Sequence, residues 1–256
     1  MAAGHEGHSP IQQFEINQLI PFKLFGVDAS FTNSSLYMVL ALGIISFFLI
    51  SAMRQGSLVP SRMQSVAELA YKFMADTVRD NVGEEGMKFF PLVFSLFVFV
   101  LVLNLLGMIP IPGVTFTVTS HIIVTAALAL LVMSIVIGYG IYSHGLGFFK
   151  LFVPSGVPLW LLPMLIPIEI ISFISRPISL SVRLFANMLA GHIALKIFAG
   201  FIGTLLTAGI WALLSPLPLT LSVALTALEV LVAVLQAYVF AVLTCIYLSD
   251  AVHGAH

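Results

Sequence analysis

The sequence predicts an all-α, polytopic membrane protein: five membrane helices, one amphipathic surface helix, and a last pair of helices long and strongly tilted. Three observations carry this. Of 256 residues, 60% are hydrophobic and 8% charged, with mean hydropathy +1.11, more apolar surface than a soluble chain can hide. Five apolar segments lie near 36–53, 89–109, 121–142, 158–200 and 217–249. A span needs about 20 residues, so all five qualify and the last two exceed it.

The segment 1–35 opens on MAAGHEGHSPIQQFEIN, polar and mildly acidic. It lacks the basic end and apolar core of a signal peptide, and is expected to stay outside. Residues 36–142 hold the peripheral helices. Within them, SRMQSVAELAYKFMADTVRD places Met63, Val66, Ala67, Ala70, Phe73, Met74 and Val78 on one helical face. Arg62, Glu68, Lys72, Asp76, Arg79 and Asp80 fall mostly elsewhere. The pattern predicts a helix over 61–82 lying on the membrane surface; a helix packed on a partner's soluble domain fits it nearly as well.

Residues 158–250 are expected to form a long-helix hairpin. Its two helices must tilt, bend or run partly along the membrane plane. Pro163, Pro167 and Pro177 are expected to bend the first, since each removes a backbone hydrogen bond. Residues 200–216 either extend that helix or form a re-entrant turn. The whole of 1–256 reads as one membrane domain.

Arg54, Arg62, Lys72, Arg79 and Lys88 cluster in the 54–88 connection, the 110–120 loop has no basic residue and the 143–157 loop has Lys150. The positive-inside rule therefore predicts an outer N-terminus and an inner C-terminus. A net charge of −1 argues against nucleic acid as a partner. With Cys245 the only cysteine, neither an intrachain disulfide nor a thiolate cluster is possible, and no P-loop occurs. No cofactor or metal is expected.

The fourth apolar segment nevertheless keeps RPISLSVRLFANMLAGH, with Arg176, Arg183 and His192. Glu169, Arg176 and Arg183 are spaced by sevens, a slowly drifting stripe about 21 Å long, with Ser172, Ser179 and Asn187 near it. His192, nine residues after Arg183, projects from the opposite face. On the fifth segment Glu229 and Gln236 share a face. If Gln236 pairs in depth with Arg183, then Glu229 and His192 fall within about 3 Å of one level.

One acid thus lies toward the inside and one toward the outside, with a permanent cation between. A guanidinium does not release its proton, so an unbroken proton wire would not contain one. Two half-channels would. Something must then carry the ion past Arg183, and the expected carrier is a mobile carboxylate on a partner subunit. Near Arg183 that carboxylate is driven to its ionised form and releases its proton.

RLFANMLAGH, preceded by SRPISLSV, resembles the signature of subunit a of the F-type ATP synthase membrane sector. FTNSSLYM, FPLVFSLFVFVLVLNLLGMIP, TVTSHIIVT and LQAYVFAVLTCIYLSDA extend the resemblance over nearly the whole chain. It implies a stator against a rotating ring of c subunits, peripheral-stalk b-type subunits and the rest of the synthase as partners, and the long helices tilted along the ring. The membrane would be the bacterial plasma membrane or the mitochondrial inner membrane. By resemblance Arg183 separates the half-channels, with Asn187 and Gln236 beside it. His192 and Glu229 would line the outer half-channel and Glu169 the inner one. His121 stands where some relatives carry an acidic or polar residue. Arg176 either lines the ring interface, braces the bend at Pro177 or pairs with Glu169. The chain would have no catalytic residue of its own and would do no bond chemistry.

Three other classes fit less well. A self-contained transporter predicts inverted repeats, and the two halves show no convincing one. A haem-bearing subunit needs paired axial ligands, and His121 and His192 do not repeat at such a spacing. A scaffold has no need of charges ordered by depth.

Overall fold

The computed structural model describes residues 18–21, 23–24, 27–28, 30–54, 60–109, 117–145, 147–148, 153 and 160–253. Two small antiparallel ladders come first, β1 (Gln18–Ile20) with β4 (Phe31–Thr32) and β2 (Lys23–Leu24) with β3 (Val27–Asp28). Six α-helices follow among the described residues: α1 (Asn33–Met53), α2 (Arg62–Val82), α3 (Phe90–Gly107), α4 (Ile122–His144), α5 (Leu162–Thr207) and α6 (Pro216–His253). Among the described residues, five helical segments are long and apolar enough to cross a membrane; α2 is not one of them.

Local chemistry sets the helix ends. The Thr32 hydroxyl accepts from the Ser35 amide at the start of α1, and Ser61 does the same for Gln64 in α2. Helix α2 stops at Gly83, whose φ of +82° suits glycine. Helix α5 has 46 residues, about 69 Å at 1.5 Å per residue, and α6 has 38, about 57 Å. Both far exceed a hydrocarbon core of about 30 Å. Pro163 lies in the first turn of α5, where its missing N–H costs nothing. Pro167 and Pro177 lie inside a helix that continues through both. Residues after 200 first extend α5 by two turns; Gly209, at φ +66°, then starts a 3-10 turn, Gly209–Leu214, leading into α6.

The core lies where α3, α4, α5 and the C-terminal half of α2 meet α6. Val93, Phe97 and Val100 of α3, Ala129, Val132 and Val136 of α4, and Leu180 and Leu184 of α5 pack there with Phe240 and Leu248. Ala233, Ala237, Ala241 and Cys245 recur every fourth residue on α6 and are fully buried. Small side chains at that period let helix backbones approach closely. Helix α1 is peripheral, with Ser34, Ala41 and Ala52 its buried residues.

Helix α2 departs from a purely surface placement. Met74, Ala75, Thr77, Val78 and Val82 are buried, so its second half belongs to the core. Met63, Val66, Leu69 and Phe73 stay exposed, and the expected apolar face divides between the two environments.

Candidate functional site

Three polar contacts mark the antiparallel pairing of α5 and α6. Near the end of α6, Arg176 Nη1 donates to Asp250 Oδ2 at 2.5 Å. Farther along, Asn187 Nδ2 donates to Gln236 Oε1 at 2.9 Å. Beyond that, His192 Nδ1 lies 2.7 Å from Glu229 Oε1. Glu229 and His192 therefore meet at one level, as counting along the helices suggests. Gln236 pairs with Asn187, one turn beyond Arg183, rather than with Arg183 itself.

His192 is buried and reaches α3 as well as α6. Its Nε2 lies 2.9 Å from the Gly107 carbonyl and its Nδ1 3.0 Å from the Met188 carbonyl. Carbonyl oxygens only accept, so each ring nitrogen has an acceptor within reach whenever it carries a proton. The Glu229 carboxyl lies beside Nδ1, close enough to share a proton with the ring. Moving one proton between ring and carboxyl leaves the charge of the pair unchanged. The arrangement is suited to holding and passing a proton.

Glycine makes room for this pair. A Cβ on Gly191 would come within 2.7 Å of Glu229 Oε1 and 3.0 Å of its carboxyl carbon. Gly107, which supplies the carbonyl to His192, is itself pressed against Thr117.

Arg183 lies on the other side of α5, exposed, with Nη2 donating to Ser179 Oγ at 3.3 Å. Its exposed neighbours Ser179, Ala186, Asn187 and Ala190 are small or polar. Asn187 is exposed while its partner Gln236 is buried, so this amide pair joins the open face of α5 to the interior. Glu169 is half-buried and makes no hydrogen bond or ion pair among the described residues. Arg176 is held by Asp250, so the pairing with Glu169 is not formed. His121 is the N-cap residue of α4, next to the buried turn Val118–Ser120.

Sequence reasoning missed Asn104. It is fully buried on α3, one turn before Gly107, and its Nδ2 donates to the Ala233 carbonyl at 3.1 Å. Its Oδ1 has no hydrogen-bond partner among the described residues, and neither has Gln236 Nε2, Thr119 Oγ1 or Ser34 Oγ, all buried. A signal for Asn104 was present: apart from Ser95 it is the only polar side chain in FPLVFSLFVFVLVLNLLG. Asp250 was missed because nothing local ties it to a residue 74 positions earlier.

With that geometry in place, comparison with known families is decisive: the model of the ATP synthase A chain matches residues 35–249. The chain belongs to the ATP synthase A chain family. It is 64% identical over 248 residues to ATP synthase subunit a of Methylobacterium sp. (strain 4-46), covering 96% of this chain and 98% of that one. The subunit a of Mesorhizobium japonicum (strain LMG 29417 / CECT 9101 / MAFF 303099) is 60% identical over 96% of this chain and 97% of its own. That of Maricaulis maris (strain MCS10) is 58% identical over 97% and 98%. Membership places the chain in the membrane sector of an ATP synthase, and so in proton transport linked to ATP synthesis.

Proposed function

We propose that this chain is the stator of the synthase's proton path. Two half-channels separated by Arg183 load and unload protons on the carboxylates of a rotating ring of c subunits. In this reading the chain sits in a bacterial inner membrane with its N-terminus outside and its C-terminus inside. Peripheral-stalk b-type subunits hold it against rotation, and it forms one membrane domain.

The exposure of Arg183 in the middle of a membrane helix carries the reading. An arginine at the centre of a bilayer costs about 2.5–3.5 kcal/mol even on insertion scales, so it needs water or an anionic partner beside it. No carboxylate of this chain pairs with it among the described residues. A ring carboxylate passing the small-residue face around Arg183 would supply that partner, and the cation would hold it ionised.

The buried side of α5 supports an outer half-channel. Glu229 and His192 form its proton-holding pair, and Asn104, Gln236, Thr119 and Ser34 supply buried polar atoms without a hydrogen-bond partner among the described residues. Such atoms bind water. His121 stands at the outer mouth. Asn187 and Gln236 are amides and do not titrate; they orient the water that links the pair to the ring face. Glu169 serves the inner half-channel. Each proton crossing is worth about 2.3 kcal/mol per 100 mV, the free energy that drives rotation.

The test is ATP-driven acidification of vesicles containing the whole complex, comparing wild type with Arg183→Ala. Loss of pumping with an opened passive leak supports the barrier role. Intact pumping would sink it.

A further inference from the structure

Arg176 sits seven residues before Arg183, about 10 Å along α5 and only about 20° round it. Its surroundings differ entirely. Its side chain is only 24% exposed: the guanidinium donates to Asp250 and lies over two aromatic rings, 5.5 Å from the Phe173 centroid and 5.2 Å from that of Tyr247. Phe173 meets Phe148 edge-on at 6.4 Å. Phe148 is buried against Gly140, where a Cβ would come within 2.3 Å of its ring. One contact chain therefore runs from α4 through Phe148, Phe173 and Arg176 to Tyr247 and Asp250 on α6.

This chain of contacts spans the weak point of α5. Pro177 has no N–H to offer the Phe173 carbonyl, and its ring crowds that carbonyl. The backbone bond missing between residues 173 and 177 leaves rotation of the helix beyond the proline loosely held.

We infer that Arg176 is a positioning residue: its ion pair with Asp250, closed by Phe173 and Tyr247, bridges the break at Pro177 and fixes the direction in which Arg183 faces the ring. The inference rests on the proposed barrier role of Arg183. The guanidinium of Arg176 relays no proton; it holds the second arginine in register.

The test uses the whole complex in inverted membrane vesicles, reading protons pumped per ATP hydrolysed and the amount of assembled complex. Arg176→Gln and Asp250→Asn should each lower that ratio about fivefold with complex content unchanged, the double variant should be no worse, and Arg176→Lys should keep most of it. The exchanged pair, Arg176→Asp with Asp250→Arg, should recover at least half of the wild-type ratio. A normal ratio in both single variants, additive losses in the double variant, or losses explained wholly by less complex would overturn the inference. Arg183→Ala, measured alongside, separates the two readings. Abolished pumping there with normal coupling in the Arg176 and Asp250 variants sinks the positioning role alone; normal pumping there sinks the barrier role beneath it.

Discussion

The bare Cα of Gly191 faces the carboxylate of Glu229 so closely that a Cβ there would stand 2.7 Å from Oε1. Gly191→Ala must push Glu229 away from His192 or part the helices. Proton transport should fall on the order of tenfold, because sub-ångström placement of reacting groups carries large rate factors. Transport assays on vesicles with matched complex content check this; an unchanged rate would mean that the carboxyl position is unimportant.

His192 and Glu229 should behave as a unit. Glu229→Gln and His192→Ala each slow transport from the outer side, and the double variant should be no slower than the worse single. A double-variant cycle on transport rate measures the coupling, and independent, additive losses would argue against the pair.

Asn104→Leu replaces the buried amide by a side chain of similar volume. A hydrogen bond between membrane helices is worth roughly 0.6–2 kcal/mol, so assembly should be nearly preserved. Transport from the outer side should nevertheless drop severalfold if the unpaired Oδ1 holds water in the path. Wild-type transport in that variant would reduce Asn104 to a tie between α3 and α6.

Ala186 is exposed beside Arg183. Ala186→Leu should change the stability of this chain by no more than about 0.5 kcal/mol, as for a surface substitution. ATP-driven pumping should fall by about tenfold or more if a ring helix passes against that face. Thermal unfolding and pumping, measured on the same preparation, separate the two effects.

Met74 and Val66 test how α2 is placed. Met74 is fully buried against the core, while Val66 is 58% exposed. Met74→Ala should cost about 2–5 kcal/mol and Val66→Ala far less, read from thermal unfolding in detergent. Equal small effects would mean that all of α2 lies on the membrane surface.

Much of the architecture was legible along the chain because its signals are local. Hydrophobic length marks a span wherever it occurs, and the over-long segments announce α5 and α6 before any packing is known. Spacing by sevens and nines placed Arg183 and His192 on opposite faces of α5, as the exposed arginine and buried histidine bear out. The inward division of α2 was not legible, because its apolar face reads alike against lipid, a partner or α6.

What the sequence by itself determined is the set of elements and which charged groups share a helical face, since 3.6-residue periodicity and the cost of charge in an apolar run depend only on neighbours in the chain. What only the tertiary structure decided is which of those groups meet. Arg176 takes Asp250 rather than Glu169, Gln236 takes Asn187 rather than the level of Arg183, and Asn104 and Gly107 come to the site from a third helix. Those partnerships depend on the register and crossing of α3, α5 and α6. That register is set by small residues such as Ala233, Ala237 and Ala241 on α6 and Gly191 on α5, whose importance lies in side-chain volume they do not have.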